Sequence, residues 1–192
     1  MTRQLKEYKL SDPVKEYFEN RGYKVYTEIP ISGVCIDMVA RKGNFLIAIE
    51  LKMGLTKQLI HRCYTNQICC DLSYAAIPTE PIKKNKELCK KHAIGIIKIA
   101  HGAKIILEAN NRRFKPFKPE HQRMLKYCSG VPWGGVGGLP QLKGIGPAIE
   151  CAKRVKEYII NHPGAKWKEI FEKVHNHYYN YKSMQSALRE KI

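Results

Sequence analysis

Ser11-Asp12-Pro13 is followed by Val14, Tyr17 and Phe18, apolar positions three to four apart that mark one face of a helix. Asp12 suits its N-cap, Pro13 its first turn and Gly22 its end. Tyr23 to Ile29 reads as a strand from its aromatic and β-branched content, closed by Pro30. Val34 to Ala40 and Phe45 to Lys52 are both rich in strand formers, and Arg41-Lys42-Gly43-Asn44 between them predicts a hairpin. From Thr56 to Asp71 the pattern turns helical, with Leu59, Cys63, Gln67 and Cys70 on one face. Leu72 to Ile77, ended by Pro78, is a further strand. Lys83 to His92 reads as a basic helix, and Ile94 to Ile99 with Lys104 to Glu108 as a second hairpin across His101-Gly102. This order predicts an α/β core, a mixed sheet flanked by helices.

Beyond Asn110 the pattern changes. Arg112, Arg113, Lys115 and Lys118 are interleaved with Phe114 and Phe117. Trp133-Gly134-Gly135-Val136-Gly137-Gly138 then reads as linker. Pro147 to Ile160, Trp167 to Val174 and Ser183 to Ile192 follow as three short helices. The expected division is a core over 1–129, a Gly-rich linker over 130–146 and a small helical domain over 147–192. Leu142-Lys143-Gly144-Ile145-Gly146-Pro147 resembles the hairpin of a helix-hairpin-helix motif. The favoured reading of the tail is a winged-helix-like unit from Pro147 onward, and a packing or dimerisation domain is the third. The first two imply contact with DNA.

Composition names a class of partner. Lys and Arg total 34 against 17 Asp and Glu, a formal net charge of +17, in a chain of ordinary hydrophobic content (44%). Such an excess favours a polyanion, because basic side chains release counterions from phosphates. The seven cysteines are odd in number and include no CxxC pair, which argues against a structural zinc site. No secretory leader and no apolar run of membrane-spanning length is read, so the expected setting is reducing and cytoplasmic, without a membrane partner.

The informative chemistry lies in the first hairpin. Glu50 and Lys52 alternate onto one face of their strand, opposite the apolar row Phe45, Ile47, Ile49, Leu51. A four-residue loop over 41–44 pairs Ala40 with Phe45 and Asp37 with Ala48. Asp37 is then diagonal to Glu50, with backbones about 7–8 Å apart. Two carboxylates at such a spacing suit Mg²⁺, which keeps waters and binds phosphate oxygens. Lys52 is placed to orient an attacking water or to stabilise developing charge. The competing reading is a surface hairpin whose Glu and Lys pair in solvent.

Over residues 12 to 108 the sequence resembles the PD-(D/E)xK nuclease superfamily. The carriers are Pro13-Val14-Lys15-Glu16-Tyr17-Phe18-Glu19 with Gly22-Tyr23, then Ile36-Asp37-Met38-Val39-Ala40, Ile49-Glu50-Leu51-Lys52, Gln67, and Tyr74-Ala75-Ala76-Ile77-Pro78. Ile36 stands where the motif's name has Pro. The resemblance implies a Mg²⁺-dependent deoxyribonuclease, with Mn²⁺ able to substitute. Its expected metal ligands are Asp37, Glu50 and the main-chain carbonyl of Leu51. Gln67 and Glu19 are implied as supporting residues, with Glu16 second to Glu19; a buried structural amide and a solvated acid are the alternatives. Lys57, His61, Arg62, Lys83, Lys84, Arg112, Arg113 and Lys115 are the expected nucleic-acid contacts. The partner is DNA, with RNA and a second copy of the chain left open. A catalytically silent nucleic-acid-binding protein on the same fold is the rival function.

Overall fold

Leu46, Ala48 and Glu50 alternate with Ile47, Ile49 and Leu51 along one strand, and that alternation sorts the core onto two faces of a sheet. A computed structural model describes residues 7–31, 34–110, 115–129, 147–176, 178 and 180–189. Its sheet comprises β1 (Lys24–Ile31), β2 (Val34–Lys42), β3 (Phe45–Leu51), β4 (Leu72–Ile77), β5 (Gly95–Ile99) and β6 (Ala103–Leu107), laid side by side in chain order. The β1–β2, β2–β3 and β5–β6 pairs are antiparallel, while β3–β4 and β4–β5 are parallel. Parallel neighbours need crossovers, and helices α2 (Lys57–Asn66) and α3 (Lys83–Lys91) supply them. The expected mixed α/β architecture is therefore present.

One face is covered by α1 (Ser11–Glu19), which brings Val14 and Phe18, with Leu10 ahead of it, against Met38, Ala40, Ile47, Ile49, Leu51, Tyr74 and Ala76. Each such aliphatic or aromatic side chain gains about 1.5–3 kcal/mol when fully buried. The opposite face has two covers. Leu59, Ile60 and Cys63 of α2 and Cys89 of α3 pack on Ala75, Ile77 and Ile96. Met124 and Tyr127 of α4 (Lys118–Tyr127), with Cys128, pack on Tyr26, Val39, Leu46 and Ala48. Glu50 is on this second face. Two polar ties hold α4 there: Arg41 donates to the carbonyls of Leu125 and Cys128 at its C-terminal end, and His121 meets Asp71, whose carboxylate also accepts the Leu46 amide.

The elements follow the sequence pattern with specific differences. A 3₁₀ turn (Glu7–Leu10) runs straight into α1, so Leu10 occupies the N-cap position expected of Asp12. β1 continues through Pro30, a residue that edge strands tolerate. The hairpin loop contains two residues, Gly43 and Asn44, with Gly43 at φ 61° as such a tight turn requires. α2 ends at Asn66, well short of Asp71. α4 is not predicted by the pattern, since Lys118-Pro119 and the charged run around them hide a helix with few apolar positions.

The chain divides into two compact units, Met1–Pro140 and Gln141–Ile192. In the second unit, α5 (Pro147–Asn161), α6 (Trp167–Lys173) and α7 (Tyr181–Leu188) enclose Cys151, Val155, Ile170, Met184 and Leu188. Asn180 and Ser183 form a reciprocal capping box that starts α7 two residues before the expected position. No strand occurs among the described residues of this unit. The Gly-rich segment and the proposed hairpin over 142–146 lie outside the described residues. Among the described residues no helix is long and apolar enough to cross a membrane.

Candidate active site

The β2–β3 ladder pairs Lys42 with Phe45, Ala40 with Ile47 and Met38 with Ile49. One further step along this register brings Asp37 opposite Glu50, where the sequence pattern predicts a diagonal pair. The two-residue turn shifts every partner by two positions, and an even shift leaves each side chain on its original face. Asp37 and Glu50 therefore share a face, as expected, and stand closer than expected. The Asp37 carboxylate folds over the end of β3, where Oδ2 accepts the Leu51 amide at 2.8 Å. The Leu51 main chain thus runs directly beside the carboxylate pair. Lys52 follows, half-buried, its amide donating to Ala76 of β4.

Glu50 is 1% exposed. Oε1 accepts the Asn66 amide at 2.8 Å, and Oε2 stands 2.9 Å from Arg62 Nη2 without hydrogen-bond alignment. The same guanidinium nitrogen is 3.9 Å from Asp37 Oδ1 and donates to the Cys35 carbonyl. Burial and then the Asp37 charge push the Glu50 carboxyl from its ordinary 4.5 up to about 8, against the downward pull of Asn66 and Arg62. A nearby thiol responds to the same field: burial first, then Glu28, Asp37 and Glu50, push Cys35 up to about 12. Cys35 also donates from Sγ to Glu28 Oε2 at 3.3 Å. Glu28 sits at φ 54°, an uncommon conformation for a non-glycine residue, between the Thr27–Met38 and Ile29–Ile36 pairs.

The donor set fits a hard divalent cation. Two carboxylates meet at one point, one of them deeply buried, with an oxygen that makes no aligned hydrogen bond and rests against a positive charge. Mg²⁺ needs only one or two carboxylates because it retains much of its water. Among the described residues no three His, Cys, Asp or Glu side chains converge as a metal cage.

The other predicted residues separate by position. Glu19 does not join the site: it is exposed, paired with Lys15 at 3.9 Å, on a helix that covers the opposite sheet face through Val14 and Phe18. Glu16 is likewise exposed. Gln67 falls just past the end of α2, where its amide donates to the carbonyls of His92 and Ala93. The amide that meets Glu50 is that of Asn66, one residue earlier and about 100° around the helix. Arg62, expected on phosphate, is directed at the carboxylates. Lys57, His61, Lys83, Lys84 and Lys115 are exposed, while Arg112 and Arg113 lie outside the described residues. Sequence reasoning missed Asn66, although Leu59, Cys63 and Asn66 are spaced as one buried helical face. Glu28 and Cys35 gave no periodic signal.

No family model, no curated protein and no solved structure matches this chain.

Proposed function

We propose that the first unit is a metal-dependent nuclease of the PD-(D/E)xK type that hydrolyses phosphodiester bonds of DNA. The observation that carries this reading is the meeting of Asp37 and Glu50 on one sheet face, with Glu50 buried and its Oε2 lacking an aligned hydrogen bond. Asp37, Glu50 and the main-chain carbonyl of Leu51 would hold Mg²⁺. When bound, the cation would polarise the scissile phosphate and lower the pKa of an attacking water.

The chain's own residues do the remainder. The Leu51 amide fixes Asp37 through Oδ2, and Asn66 fixes Glu50 through Oε1, so neither carboxylate has to be ordered when substrate arrives. Lys52, two residues beyond Glu50, is the group assigned to orient the water or to stabilise charge on the phosphate. The net charge of +17 draws in the polyanion, with Lys57, Lys83, Lys84 and Lys115 as exposed contacts. The second unit is assigned to grip DNA as a winged-helix-like module.

A specific observation favours one rival, a silent nucleic-acid binder. Arg62 already neutralises part of the acidic pair, so the two carboxylates can be held together without a cation. The separating experiment incubates the full chain with plasmid, linear and branched DNA, and with RNA, in Mg²⁺, Mn²⁺ or EDTA. Metal-dependent cleavage abolished by Asp37→Asn supports the nuclease. Tight DNA binding with no cleavage under any metal favours the silent binder.

A further inference from the structure

Among the described residues, Arg62 is a basic side chain that reaches two acids at once. Most of the Lys and Arg side chains described are solvent-facing or tied to backbone carbonyls, as Arg41 is at the end of α4. Arg62 instead reaches from α2, with its side chain 42% exposed, to a carboxylate that is 1% exposed and to a second that is 14% exposed. Its Nη2 contacts Glu50 Oε2 and stands 3.9 Å from Asp37 Oδ1, which is the space between the two carboxylates. A buried carboxylate beside a second acid is strongly destabilised when it is deprived of positive charge. A guanidinium on a long, partly exposed stem can supply that charge and still swing out to solvent.

Resting on the metal reading above, we propose that Arg62 is the resident counter-ion of the Asp37–Glu50 site, and that a divalent cation binds there by displacing it. A cation held by Asp37 and Glu50 would need the space that Arg62 Nη2 occupies between them, so the two would compete. The consequence is a built-in threshold: the acidic pair is partly neutralised without metal, and metal affinity is lowered by whatever the guanidinium contributes. Once released, the guanidinium is a forked donor at the rim of the site, suited to a phosphodiester oxygen.

The test measures metal binding in the full-length protein, without nucleic acid, by counting free Mn²⁺ with electron paramagnetic resonance at pH 8. Wild type, Arg62→Met, Asp37→Asn and the double variant are compared. Arg62→Met keeps the apolar stem and removes the competitor, so it should tighten Mn²⁺ tenfold or more, and Asp37→Asn should abolish the gain. Mn²⁺ binding that depends on Asp37 but is equally strong in wild type and Arg62→Met overturns the counter-ion role and leaves the metal site standing. Absence of any Asp37-dependent binding in both proteins overturns the role and the metal reading together. A second measurement does not depend on Arg62→Met folding. In ¹⁵N spectra of wild type, the Arg62 side-chain resonance should shift on titration with Mg²⁺ and stay still in Asp37→Asn. An Arg62 resonance unmoved while Mg²⁺ displaces bound Mn²⁺ overturns the proposal.

Discussion

Arg62 Nη2 lies 2.9 Å from Glu50 Oε2, joining a guanidinium on α2 to a carboxylate at the end of β3 that has almost no access to water. This contact explains how an acid can sit on the apolar face of a sheet, between side chains such as Ala48 and Ala75, without unfolding it. It is incomplete compensation. Burial and Asp37 together outweigh Arg62 and Asn66, which is why the Glu50 carboxyl is held above its ordinary range.

Metal-free stability should therefore fall with rising pH. The folded protein retains the Glu50 proton up to about pH 8, whereas an unfolded chain releases it near 4.5. Between those values the folded state binds more protons, so each pH unit costs up to about 1.4 kcal/mol of stability. Glu50→Gln keeps the shape and removes the titration. Thermal melts in EDTA should show Glu50→Gln gaining on wild type from pH 5 to pH 8, with little difference at pH 5. A gap that does not change across this window would mean that Glu50 is not a strained acid.

Asn66 should matter through the kind of group it presents. Its Nδ2 donates to Glu50 Oε1 inside the core, and leaving such a buried polar group unsatisfied costs about 1–3 kcal/mol. Asn66→Asp goes further by setting a third carboxylate against the pair, and should lower the melting temperature sharply at pH 8 and less at pH 5. The penalty should shrink in the Glu50→Gln background, where the new amide can donate to Asp. Equal penalties in both backgrounds would separate Asn66 from Glu50.

Much of this site was legible because strand periodicity is robust to error. The sequence pattern predicts a hairpin turn of four residues and the turn contains two, yet Asp37 and Glu50 stay on the same face because the slip is even. The helix face is less forgiving. Asn66 and Gln67 both fall near the face marked by Leu59 and Cys63, and the step of about 100° between them sends Asn66 to Glu50 and Gln67 to the His92 carbonyl. Glu19 fails for a different reason: its sequence context shows a helix but not which side of the sheet that helix covers, which only Val14 and Phe18 packed on Ile47 and Ile49 decide. Arg62 is visible in the sequence as a charge and invisible as a partner, because the pairing joins residues from separate elements that no local pattern links.

Gly95 offers a check on the parallel half of the sheet. A Cβ at this position would stand 2.2 Å from Tyr74 Cε1 and 2.9 Å from the Ala109 amide. Tyr74 is 3% exposed and has no room to retreat. Gly95→Ala should destabilise by about 1–3 kcal/mol as an overpacked core, read from the denaturation midpoint at constant slope. A neutral result would argue against the Tyr74–Gly95 pairing that sets β4 beside β5.

Truncation after Pro140 should leave the first unit folded, because Asp37, Glu50, Lys52, Arg62 and Asn66 all precede the division. The removed residues carry ten basic against five acidic side chains, so the net charge falls by 5, from +17 to +12. DNA affinity should fall, and the slope of log K against log salt should become shallower, as fewer phosphates are neutralised. A slope identical to that of the full chain would assign the helical unit to something other than DNA contact.

Catalysis and metal binding should separate between Asp37 and Lys52. Asp37→Asn removes the charge of a proposed ligand, so Mn²⁺ occupancy and cleavage should fall together, cleavage by roughly 10²–10³ on the scale of single electrostatic contacts at reacting centres. DNA binding in EDTA should survive or improve, since a negative charge facing the phosphates has gone. Asn can still accept the Leu51 amide through Oδ1, so the fold should tolerate the change and the melting temperature in EDTA should hold or rise. Lys52→Ala should behave differently: its assigned task begins after the cation is seated, so Mn²⁺ affinity should stay near wild type while turnover is lost. Running binding and single-turnover cleavage on the same preparations distinguishes the two. If Lys52→Ala loses metal as completely as Asp37→Asn, the lysine serves the architecture of the site rather than the chemistry, and if Asp37→Asn cuts as fast as wild type, the two-carboxylate mechanism fails.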